Sequence, residues 1–138
     1  MSRRGRDAGQ AMVEYALTAT IFFVLVIFIL DGSRILWGYV TVSQAAAAGA
    51  RYGIIHGSQS SSPVGPGNYA ALSQFVRDNA FGLNTANINT TATWQGNSNA
   101  PGSLITVEVT YQTQGVTGMF WPGQTFALRG RSSMIIQN

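Results

Sequence analysis

The sequence contains no cysteine and no lysine. The first absence rules out disulfides, thiolate metal sites and thiol redox chemistry, so whatever folds here is held together by packing. Charge is scarce as well: 9% of the residues are charged against 46% hydrophobic, too apolar for a disordered chain and leaner in charge than an ordinary soluble domain. The single histidine, His56, has no carboxylate pair or phosphate-cradling glycine loop placed to work with it, and the serines at Ser58, Ser60, Ser61 and Ser62 lack a base. That leaves no catalytic set, no metal site and no cofactor to expect. The basic pI of about 9.8 is largely a property of Arg3, Arg4 and Arg6. From Gln10 onward five arginines face four acids, a net +1, which is too little for a nucleic-acid groove.

What the sequence does have is one long apolar run. Ala16 to Leu30 carries no charge, and Ala11 to Val13 extends it upstream past the lone acid Glu14. As a helix, residues 11–30 span roughly 30 Å at 1.5 Å per residue, the hydrocarbon thickness of a bilayer. The Arg cluster before the run orients the N-terminus toward the cytoplasm and places everything beyond Asp31 outside. Asp31 and Arg34, three apart, either pair at the outer membrane boundary or are each solvated, with solvation the simpler expectation.

Helical spacing of Ile35, Leu36, Tyr39, Val40, Ala46, Ala47 and Ala50 continues with no proline before Pro63, predicting one rod over residues 10–55. Ala45, Gly49, Gly53 and Gly57 recur every four residues. Since a glycine costs a helix interior about 1 kcal/mol, the stripe indicates either close approach of another backbone or, for Gly53 and Gly57, a fraying helix end. Residues 56–67, rich in Ser, Gly and Pro, read as a flexible connection. Residues 68–138 then read as a small α+β domain. Asn68 is the candidate N-cap of a short helix with Leu72, Phe75, Val76 and Ala80 on one face and Gly82 at its end. Alternation predicts strands at 86–94, 105–111 and 124–136, the first two as a hairpin, with Gly130 a candidate bulge in the third. The fold class expected is α+β: a long N-terminal helix, membrane-spanning in its first half, and one helix on a three-stranded antiparallel sheet. Met119 to Pro122, an apolar cluster in a loop context, is either a core plug or a partner-binding knob, with core packing favoured.

The N-terminus is shaped unlike a secretory signal. A small residue at which a peptidase could cut, Gly9, precedes the apolar stretch, so cleavage would retain the helix. Gly9 followed by Glu14 and Tyr15 resembles the prepilin cleavage motif of the type IV pilin superfamily, and the Glu-Tyr pair looks like its Flp/Tad branch. Asp31-Gly32-Ser33-Arg34, Tyr39-Val40, and Gln44-Ala45-Ala46 through Gly49-Ala50-Arg51-Tyr52-Gly53 are similar to the TadE-like pseudopilins. Ala47 and Ala48 stand where that family often has charged residues.

The resemblance implies a leader, residues 1–9, removed by prepilin peptidase between Gly9 and Gln10. It also implies assembly through Glu14 and Tyr15, with Glu14 meeting the free α-amine of a neighbouring subunit. A buried lone carboxylate costs several kcal/mol, so an amine partner would select one axial register. The plainer alternative is that Glu14 complements the helix macrodipole and reaches water. The partners implied are inner-membrane lipid, prepilin peptidase, other pilins or copies of this chain, and a pilus assembly platform. The function implied is a minor pseudopilin of a Tad-type system, without enzymatic activity. The alternatives are a major filament subunit, although typical Flp major pilins are shorter, and a single-pass membrane-anchored binding module.

Overall fold

The computed structural model describes residues 3–115 and 125–137, with side chains from Gly9 onward. The side chains of Arg3, Arg4 and Arg6 and the Met119–Pro122 cluster lie outside the described residues. One helix, α1 (Arg3–Ile55), runs unbroken for 53 residues, about 80 Å at 1.5 Å per residue. Nothing in its sequence interrupts it, and its threonine hydroxyls find partners within it. Thr18, Thr20 and Thr41 donate their hydroxyls to the carbonyls of Glu14, Ala16 and Trp37 four residues back, at 2.8–2.9 Å. For Thr18 and Thr20, within the apolar run, such internal bonds are what makes a hydroxyl tolerable inside a bilayer. The helix closes where the His56 amide and its Nδ1–H both reach the Tyr52 carbonyl, at 3.2 and 2.9 Å.

The two halves of α1 have different surroundings. From Gly9 to Leu30 none of its residues is buried, whereas Val42, Ala45, Ala46 and Ala50 are. These small residues let α1 lie close against a second layer formed by α2 (Ala70–Asn79) and a sheet of β1 (Ile88–Trp94), β2 (Leu104–Gln114) and β3 (Thr125–Ile135). The sheet is antiparallel in the order β1-β2-β3, with Trp94 opposite Ile105 and Leu104 opposite Ile135. This is the expected α+β class. The core joins the α1 residues to Leu72 and Val76 of α2 and to Ile105, Val107 and Val109 of β2.

Several local expectations are corrected. Asn68 does not cap α2. The N-cap is Tyr69, without a side-chain bond, while Asn68 and Gly65 exchange backbone bonds of 3.0 and 3.2 Å in the preceding loop. The helix ends at Asn79, and Gly82, at φ +74°, makes the turn that follows it. The first strand begins at Ile88 rather than Ala86, because the Asn84 side chain captures the Ala86 amide (3.1 Å) and winds residues 85–87 into a 3-10 turn. Gly130 is not a bulge: pairing runs through it without a break, with Val109 opposite. A Cβ there would lie 2.7–2.8 Å from the backbone of Val42 and Ser43, so Gly130 is where α1 crosses β3 backbone to backbone. Asp31 is 6% exposed and therefore not a solvated surface acid.

Residues 56–67 follow a bonded course. Val64 is buried, its amide reaches the His56 carbonyl at 2.7 Å, and the Ser58 amide reaches Asn99 of the β1–β2 connection at 3.0 Å. The Asn99 side chain in turn donates to the Val64 carbonyl at 3.3 Å.

Candidate functional site

The residues singled out at the N-terminus lie on one face-to-face run of helix. Gly9 and Gln10 are fully helical and exposed, and nothing stands within 4 Å of the position a Gly9 Cβ would take. Gln10 and Glu14 are four apart, so they share a helix face one turn, about 6 Å, from each other. Glu14 and Tyr15 are exposed, Tyr15 at 78%. Glu14 is the sole acid between Gly9 and Asp31. Among the described residues the ion pair that forms is Arg129 with Glu108 at 3.3 Å, far away on the sheet.

Around this acid the helix is a bare apolar cylinder. Met12, Leu17, Phe22, Phe23, Phe28 and Ile29 are each at least 62% exposed. The most apolar 18-residue window of the helix has a mean hydropathy of 2.4 and none of it is buried. An apolar surface of this extent cannot stand in water; it needs lipid or neighbouring helices around it. The chain is read accordingly as a single-pass membrane protein.

The small-residue stripe faces inward. Ala45 is fully buried, a Cβ on Gly49 would meet Val76 and Val107 (2.6 and 3.2 Å), and one on Gly53 would press on Ile105 and Leu72. What these positions admit in this chain is side chains of its own sheet and of α2. The approach of one backbone to another falls at Gly130 instead, a position whose role the sequence does not signal. A second unforeseen contact is at Gly82, where an added Cβ would strike the Trp37 indole.

His56 is occupied structurally. Its ring stacks on Tyr52 at 3.9 Å while donating to the Tyr52 carbonyl, and Tyr52 stacks in turn on Phe75 at 4.7 Å. Among the described residues no group of three or more His, Asp or Glu is placed to hold a metal ion.

Residues 9–51 match the family model of TadE-like proteins. This segment is TadE-like. The match begins at Gly9, ends four residues short of the end of α1, and leaves the sheet outside it. No curated protein and no solved structure matches the chain. Over these residues the chain is similar to the TadE-like proteins of the Tad pilus system.

Proposed function

We propose that this chain is a minor pseudopilin of a Tad-type pilus system. Prepilin peptidase cuts after Gly9, and the mature chain enters assembly through α1. The observation that carries the reading is the exposed apolar half of α1 with Glu14 as its one acid, a single turn after Gln10. Cutting after Gly9 removes the arginine leader and places a free α-amine on Gln10. In a bundle of such helices the amine of one subunit and Glu14 of another are the two opposite charges in an apolar surround. Each is costly alone, so their pairing selects a single axial stagger between subunits.

Two features favour a minor over a major role. The sheet domain makes the subunit bulky, and it sits on the same helix that assembles. The N-terminus lies in the cytoplasm, the span crosses the inner membrane, and the domain is exported, in keeping with the arginines that precede the span.

Glu14→Ala tests the reading. The variant is expected to insert in the membrane as the natural chain does and to be lost from pilus fractions, while the conservative Glu14→Asp retains part of the incorporation. Normal incorporation of Glu14→Ala would overturn the role of Glu14 in assembly, and absence of the natural chain itself from pilus fractions would favour a membrane-anchored module that does not assemble.

A further inference from the structure

The end of the exported domain nearest the span is identifiable from its packing. α2 runs antiparallel to α1: Leu72 lies against Gly53, Val76 against Gly49, and Gly82 against Trp37. The chain therefore descends from Leu72 to Gly82 toward Leu30. β2 ends and β3 begins at this same end, where Leu128 abuts Gly38 and where Arg34, Trp37, Tyr111 and Gln114 line one depression. The opposite end is marked by the bonds of Gln137 to Ile54 and of Ser58 to Asn99.

Exposed aromatic rings are segregated between the two ends. Among the described residues beyond Leu30, the large exposed aromatics are Trp37 (52%), Tyr39 (51%), Phe81 (74%) and Phe126 (40%), and all four lie at the end near the span. The exposed aliphatics at the far end are Ile55 and Ile135. Because α1 is unbroken, height above the membrane can be read from residue number. Trp37 is seven residues past Leu30, about 10 Å along the axis. The interfacial layer of a bilayer is about 5–8 Å thick on each side. Helical side chains lean back toward the N-terminus, which brings the Trp37 indole down into that layer, where Trp and Tyr are enriched. The exposed Arg34 lies one turn lower, in reach of lipid phosphates.

We propose that the exported domain docks on the bilayer its own helix spans, seating Trp37 and Phe81 in the headgroup layer with Arg34 against phosphate. The occupant is phospholipid of that same leaflet, and the inference rests on reading α1 as the span. The contact fixes the tilt of the domain, and a subunit leaving the bilayer for a filament must give it up.

The absence of cysteine makes the test direct. Single variants of the full chain, Phe81→Cys, Asn97→Cys at the far turn and Phe23→Cys within the span, are labelled with an environment-sensitive fluorophore. They are then placed in phosphatidylethanolamine–phosphatidylglycerol vesicles containing lipids with a nitroxide high or low on the acyl chain. All three replaced side chains are exposed, and circular dichroism checks the fold. The label at 81 is expected to lose emission to the shallow nitroxide more than to the deep one, the label at 23 to show the reverse order, and the label at 97 to lose none. Quenching at 23 without quenching at 81 overturns the docking and leaves the span intact. Loss that follows protein density instead of nitroxide assigns the patch to a second copy and also overturns it. No quenching at 23 removes the span and the docking together.

Discussion

At Gly130 a single added methyl group would enter the backbone of α1 at Val42 and Ser43. A side chain can turn aside, but the backbone of a helix cannot. Gly130→Ala is therefore expected to destabilise the domain by about 1–3 kcal/mol, the usual range for overpacking, seen as a lower urea midpoint. Gly96→Ala is the informative contrast: nothing stands within 4 Å of that position, and its cost comes from its positive φ alone. The sequence marks Gly130 as unusual within a strand pattern but not why, because a bulge and a close crossing leave the same local signature. Asp31 is a similar case. Its position one residue past the apolar run suggests solvent, whereas in the fold it is buried. Glu14 and Gly9 differ in that the roles proposed for them rest on a local pattern: a small residue, an acid five positions later, and an apolar helix to carry both.

The elements themselves follow from period and punctuation. The alternation of β1 and β2 is expressed as alternating burial, Ile88, Thr90, Ala92 and Trp94 inward on one and Ile105, Val107, Val109 and Tyr111 inward on the other. Boundaries moved where one side chain bonded locally, as at Asn84, or where a residue expected to cap bonded elsewhere, as at Asn68. Helix α1 belongs to two environments at once, and its helical period alone does not show where one gives way to the other. Val42, Ala45, Ala46 and Ala50 share the core with the sheet, so a separate domain starting at residue 68 lacks one wall. A fragment of residues 34–138 is expected to fold cooperatively, with helix and sheet lost in one thermal transition by circular dichroism. A fragment of residues 68–138 is expected to stay largely unfolded. Equal stability of the two would mean that α1 is a stalk attached to an independent domain.

On the scale of the whole molecule, the chain is a rod whose lower half seeks an apolar surround and whose upper half is built into a small sheet domain. That division accounts for the composition. The charge deficit lies in the apolar run, the excess of arginine lies in the residues proposed to be cut away, and the lack of cysteine is met by a core running continuously from α1 to β3. The TadE-like match over residues 9–51 covers the rod and stops before the sheet, so the part shared with that family is the part proposed here to be processed and to assemble. The account depends above all on the cut after Gly9. Intact mass and terminal sequencing of the protein from cells with and without prepilin peptidase test it most directly. The account predicts a chain beginning at Gln10 when the peptidase is present and an uncut chain when it is absent. A chain still beginning at Met1 or Ser2 in peptidase-positive cells would contradict it and leave a domain anchored by a permanent span.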